Sequence, residues 1–198
     1  MRMIIIYFKN EINTILKMRS FLIAISFFTS LILSDCNEAS DSSRTVIAGG
    51  SLTEITYFLE QENKLIAVDV TSNSPKKTRE LDSIGYVRAL STEGLLSLSP
   101  TLILGEDDMG PPLVIDQLAL TGVDIRIVPE EQTSEGILSK IRCLSSILGV
   151  SRSFQDQKIS LLAKDVNKLK KTASKNSKNP KRVMLILNMQ GTSPIVAG

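Results

Sequence analysis

Reactive side chains are scarce in this chain, and those present converge on one stretch. Its 198 residues include no His, no Trp, two Cys and three Tyr. Without an imidazole the commonest general base at neutral pH is missing. Neither Ser51 nor Cys143 has a sequence-visible partner that would activate it as a nucleophile, so no catalytic residue is assigned and an enzyme is not expected. The stretch Ser83-Ile84-Gly85-Tyr86-Val87-Arg88-Ala89-Leu90-Ser91-Thr92-Glu93-Gly94-Leu95-Leu96-Ser97-Leu98 sets a phenol, a guanidinium and a carboxylate between two apolar elements. A phenol ordinarily titrates near ~10, but ferric iron favours its deprotonated form, which makes Tyr86 a candidate ligand to Fe³⁺. Tyr86 follows Gly85 in a loop, where function concentrates. Tyr57 lies instead in a helical apolar run with Leu52, Ile55, Phe58 and Leu59 and reads as a packing residue. Arg88 shares the face of Tyr86 if the segment is extended, where it can hydrogen-bond the phenolate or pair with a carboxylate of the ligand.

The elements that must position these groups follow a leader. Lys17-Met18-Arg19 precedes the apolar run Phe21 to Leu33, too short for a bilayer span and suited to a signal peptide over residues 1–34, with 1–17 as a start-site artefact or a lengthened n-region. Export to the periplasm, with cleavage after Ser34, is expected. Four of the 23 basic and one of the 21 acidic residues lie in 1–34, so the formal charge of +2 becomes −1 for the remainder, and no nucleic-acid partner is expected. Leu33-Ser34-Asp35-Cys36 looks like a lipoprotein box, but Asp35 stands where a small residue belongs, so a lipid anchor at Cys36 is not expected. Cys36 and Cys143 could pair in an oxidising compartment. The expectation is that they do not: Cys36 lies in a polar lead-in, 35–44, that reads as flexible, and Cys143 occupies an apolar helical position as a small buried hydrophobe.

Beyond the lead-in, apolar β-type runs alternate with helical patterns, which predicts an α/β fold with a parallel sheet. Strands are expected at Thr45–Ala48, Leu65–Val68, Thr101–Leu104, Val123–Val128 and Arg182–Leu187. Helices are expected after Gly50, with Ser51 and Glu54 as a capping box, at Thr92–Leu98, after Gly110-Pro111-Pro112, at Ser134–Leu148, and from a cap at Ser153-Phe154-Gln155-Asp156 onward. The pair Gly49-Gly50 after a strand is a weak phosphate signal, since the dinucleotide and P-loop spacings are both absent. The lysine-rich end of the last helix, Lys168 to Lys178, reads as an ordinary solvated carboxyl terminus. Tyr86 falls beyond the carboxyl end of a strand, where open α/β sheets bind ligands.

Ala48-Gly49-Gly50-Ser51-Leu52-Thr53-Glu54, Gly85-Tyr86, Leu90-Ser91-Thr92-Glu93-Gly94, Gly110-Pro111-Pro112 and Asp116-Gln117-Leu118 together resemble the periplasmic haem-binding proteins of bacterial ABC importers. The resemblance runs from about Thr45 to Gly198. It implies two α/β lobes joined by one long helix, with 45–150 as the first lobe, 151–178 as the connecting helix and 179–198 as the start of a second lobe that is mostly missing. It implies further that Tyr86 ligates the iron of a transported haem, that Arg88 assists at the phenolate or a haem propionate, and that Glu93 meets arginines of an inner-membrane permease, the chain acting as a monomer. Half a cleft would cover only one face of a planar ligand. The alternatives are a ferric siderophore or cobalamin binder, which needs no protein phenolate, or a non-functional truncated remnant.

Overall fold

The computed structural model describes residues 36–176, 184, 186–190 and 193–196. Of the two units into which the chain divides, Met1–Asp35 and Cys36–Gly198, only the second falls among the described residues, so the expected signal peptide lies outside them.

Strands β1 (Thr45–Ala48), β2 (Leu65–Val68), β3 (Asp82–Ser83), β4 (Leu102–Gly105) and β5 (Asp124–Ile127) form one parallel sheet in the order β3-β2-β1-β4-β5. Apart from Thr45 the inner strands are apolar, because both faces are covered. Alternation then divides each strand between two cores. Ile47, Leu102 and Leu104 face a cluster with Leu52, Leu59, Leu144, Ile147 and Ile159, while Val46, Ala48 and Ile103 face another with Leu95, Val114 and Leu118. Helices α1 (Gly50–Phe58), α4 (Ser134–Ile147) and α5 (Arg152–Asn176) supply the first cover; α2 (Thr92–Ser97) and α3 (Pro112–Ala119) supply the second. Tyr57 packs against the first cluster, as expected. No helix among the described residues is long and apolar enough to cross a membrane.

Several local expectations are corrected. The capping box does not form: α1 starts at Gly50 with Gly49 as its cap and no side-chain capping bond. Ser51 lies inside the first turn, and its hydroxyl donates to Glu106 Oε1 at 2.6 Å instead. Helix α5 begins at Arg152, so Ser153 is helical; Gln155 is buried and donates to the Arg142 carbonyl at 3.2 Å. Strand β3 was not expected, being only two polar residues paired to Ala67 and Val68. The last expected strand is observed as β6 (Ile186–Gln190), antiparallel to β7 (Ser193–Val196), rather than as a lone opening strand; residues 182, 183 and 185 lie outside the described set.

The lead-in is tied down rather than flexible. Cys36 and Cys143 form a disulfide, Sγ–Sγ 2.01 Å, which overturns the expectation of two unpaired thiols. Behind it, Ala39 is buried and its amide donates to the Ile147 carbonyl at 3.0 Å. The Arg44 guanidinium caps the end of α2 by donating to the carbonyls of Leu98 and Ser99 at 2.6 and 2.9 Å. These anchors are carbonyls and a sulfur distant in sequence, so a polar composition gives no warning of them.

Candidate ligand site at the carboxyl edge of the sheet

All parallel strands end on one edge, and the loops leaving them carry nearly every polar cluster described. Beyond β3, the Ile84 amide donates to the Val68 carbonyl at 3.0 Å and the Val70 amide to that of Gly85 at 2.9 Å, so β2 and the segment after β3 stay paired. Gly85 then adopts φ 84°, with nothing near where a Cβ would stand; glycine is needed there for conformation, not for space. That turn redirects the chain. Val87 and Leu90 enter the core, each 5% exposed, while Tyr86 stands out at 47%. The other side of the loop is held by Gly110, whose amide donates to the Val87 carbonyl at 3.0 Å and whose carbonyl accepts from Leu90 at 2.9 Å. Tyr86 therefore projects from backbone fixed on both flanks, an arrangement suited to presenting a ligand atom.

Arg88 does not reach Tyr86 through an extended segment. The chain turns, with the Ala89 amide donating to the Tyr86 carbonyl at 2.8 Å. The Arg88 guanidinium is instead engaged by Asp108, Nε and Nη2 both donating to Oδ2 at 3.2 and 3.1 Å. Burial of Val87 alone still leaves Tyr86 and Arg88 both outside, so the pair shares a surface without sharing a bond. Glu93 is exposed in the first turn of α2, where the helix dipole favours a carboxylate. Ser91 caps that helix by accepting from the Gly94 amide at 3.2 Å, and Thr92 donates to Gln117 Oε1 at 2.5 Å, tying α2 to α3.

The sheet's order reverses between β1 and β4, the topological switch point at which such sheets hold ligands, and here protein side chains fill it. Lys140, reaching from α4, donates to Glu106 Oε1, to Glu130 Oε1 at 3.1 Å and to Ser51 Oγ at 3.1 Å. Its side chain is 6% exposed and that of Glu106 11%. Burial pushes the ammonium's pKa down, but hydrogen bonds and charge from Glu106 and Glu130 more than offset this, so Lys140 sits above its ordinary value and stays protonated. Lys140 donates to the Ser51 oxygen while the Ser51 hydroxyl donates to Glu106, so the amine is not placed as a base toward that hydroxyl. A Cβ on Gly49 would stand 3.2 Å from Glu106 Oε2, so a carboxylate occupies the space in which the Gly49-Gly50 turn would have cradled a phosphate.

Asp69 completes the edge. Almost wholly buried, it accepts from the Gly49 amide at 3.0 Å, the Thr71 amide at 3.0 Å, and the hydroxyls of Thr71 and Ser72 at 2.5 and 2.7 Å. It locks the loop after β2 to the loop after β1. Neither Asp69 nor the Lys140 cluster was anticipated; the available signals were an acid directly after an apolar strand and a lysine among Ile137, Ile141 and Leu144 on an apolar helix face. A hollow of about 620 Å³ opens beside Lys140, walled by Ile55, Phe58, Ile137 and Leu162. Tyr86, Arg88 and Glu93 do not line it.

A periplasmic binding protein family model matches residues 46–198. The chain belongs to the periplasmic binding protein family. Within that family, the periplasmic heme-binding protein HutB of Vibrio cholerae is similar at 34% identity and TM-score 0.67, over 79% of this chain and 59% of that one. A periplasmic heme-binding protein from Pseudomonas aeruginosa is similar at 33% identity and TM-score 0.68, over 78% and 56%. The vitamin B12-binding protein of Yersinia pestis (strain Pestoides F) shares 31% identity over 87 residues, 44% of this chain and 31% of its own length. The chain thus spans under a third of the curated relatives' length and somewhat over half that of the solved structures. The five-stranded parallel sheet with its flanking helices corresponds to one lobe of a periplasmic binding protein.

Proposed function

We propose that this chain is the haem-binding component of a bacterial ABC-type haem importer, exported to the periplasm through its leader and delivering haem to an inner-membrane permease. The observation that carries the reading is Tyr86. It is an exposed phenol projected from the carboxyl edge by a positive-φ glycine, on a backbone pinned to both neighbouring loops, in a chain with no imidazole to offer. Ferric iron would draw the phenolate as its axial ligand. Arg88, on the same surface, would meet a propionate. Residues 45–150 are the first lobe in this reading, 151–178 the connecting helix and 179–198 the beginning of a second.

The test is a Soret titration of the purified chain with ferric haem, which is expected to yield a five-coordinate, high-spin, tyrosinate-type spectrum. Tyr86→Phe removes only the oxygen. Since groups that merely support a metal ligand are worth about 10–100-fold in affinity, the ligand itself is expected to cost at least that, with loss of the tyrosinate charge-transfer band. An unchanged band and affinity in Tyr86→Phe would return Tyr86 to the surface.

Transport makes a second demand, on Glu93. We expect Glu93→Lys to leave haem affinity unaltered while weakening association with the permease a few-fold at low salt and less at physiological salt, the behaviour of an exposed charge contact. Undiminished association in a pull-down or transport assay would leave Glu93 as a helix-start residue alone.

A corrinoid is the second reading, favoured by the 87-residue likeness to vitamin B12-binding proteins. Cobalamin brings its metal already coordinated and has no need of the phenol, so failure of the parent chain to bind haem together with cobalamin binding that is retained in Tyr86→Phe would select it.

A further inference from the structure

We infer that Asp108 holds the place of a ligand carboxylate on Arg88, so that a ligand with free carboxylate tails must displace it to reach the guanidinium, whereas one whose tails are amidated leaves it in place. The inference deepens the haem reading and rests on it.

Two N–H groups of the guanidinium converge on a single oxygen, Asp108 Oδ2, at 3.2 and 3.1 Å. That is one arm of a geometry able to take a carboxylate on two oxygens. The pair is open to solvent, the side chains of Arg88 and Asp108 being 63% and 43% exposed. It is not what joins its two loops. Backbone bonds from Gly110 to Val87 and Leu90 already do so, and Val87, Leu90 and Met109 are buried beside them. The ion pair can therefore open without disturbing the lobe, and exposed pairs of this kind are worth about 0–1 kcal/mol.

A ligand carboxylate arriving at Arg88 exchanges like for like: one anion leaves the guanidinium as another takes it. An amide arriving there offers a neutral oxygen and cannot displace Asp108, which together with exposed Asp107 keeps the surroundings acidic. Asp108 consequently weakens all carboxylate ligands somewhat and leaves neutral ones untouched, and it keeps Arg88 from collecting stray anions.

The experiment compares ferric haem with ferric haem dimethyl ester, whose propionates are blocked, on the full chain, on Asp108→Asn, and on Asp108→Asn combined with Arg88→Ala. Asp108→Asn is expected to tighten haem about 3- to 5-fold, the equivalent of a lost exposed pair. The ester should bind the parent and the variant equally, and the gain for haem should vanish once Arg88 is gone. Equal haem affinities in parent and Asp108→Asn, an equal gain for the ester, or a gain that survives Arg88→Ala would each overturn the inference while leaving haem binding intact. Absence of a Soret change with either porphyrin in every chain would overturn the haem reading and this inference with it.

Discussion

Replacing Lys140 with methionine is expected to destabilise the protein by about 3–5 kcal/mol, the usual consequence of removing one partner from a buried pair. The ammonium sits between Glu106, Glu130 and the Ser51 hydroxyl, with its side chain 6% exposed and that of Glu106 11%. Without it Glu106 keeps one hydrogen bond, from Ser51, and a carboxylate with little access to water. Glu130, 43% exposed, can turn to solvent and loses little. Adding Glu106→Leu to Lys140→Met removes the stranded charge and should recover most of the loss, since apolar replacement of a whole buried pair is often neutral. Urea denaturation measures both variants, the midpoint moving while the slope stays constant. A cost below about 1 kcal/mol for Lys140→Met would mean that the pair does not exist in solution.

The same cluster fixes a pH dependence. The Lys140 pKa lies above its unfolded value, so its contribution is complete at every pH below about 10.4 and is lost only as pH rises through the raised folded value. Between pH 6 and pH 9 the Lys140 contribution should accordingly leave the parent's stability independent of pH, which urea midpoints across that range would read.

Breaking the disulfide is expected to cost about 2–5 kcal/mol. Cys36 and Cys143 are separated by 107 positions, and on the chain-entropy model a bridge closing roughly 100 residues restricts the unfolded chain by about 4.7 kcal/mol. The bridge also holds the lead-in against α4, where Ala39 is buried and bonded to Ile147, so its loss frees a segment that covers the core. Cys36→Ser with Cys143→Ser, or the parent under reductant, should melt on the order of 10 °C lower than the oxidised parent. Mass spectrometry under non-reducing conditions reads the pairing directly. The sulfur of Cys36 cannot be both bridged and lipidated, so the same measurement decides between the two: a diacylglyceryl mass on Cys36, or two thiols free to alkylate, would refute the bridge.

Much of the lobe is legible from pattern alone. Continuous apolar runs at 46–48, 65–68 and 102–104 can be satisfied only between two covering layers, and the helical spacing of Leu52, Ile55, Phe58 and Leu59 supplies part of one of them. Tyr86 is legible too, through its glycine and the strand before it. Local rules met their limit where a side chain had a distant alternative. Ser51 and Glu54 satisfy the capping pattern, yet Ser51 turns to Glu106, 55 positions away, because the helix already starts at Gly50 and a buried carboxylate needs a donor. The period of an extended segment would set Arg88 beside Tyr86, but the turn after Tyr86 and an acid in the loop beyond β4 decide its partner.

By itself the sequence determined the parallel α/β class, the place of Tyr86 after a glycine beyond the end of a strand and the acidic start of α2, since each depends on nearby residues. Only the tertiary structure decided that Cys36 meets Cys143, that Lys140 closes the switch point and that Asp108 holds Arg88. Those pairings join segments far apart in sequence, the lead-in to α4, α4 to the loop after β4, and that loop to the segment after β3, which the strand order β3-β2-β1-β4-β5 and the packing of α4 make neighbours, and short-range periodicity carries no information about which segments meet.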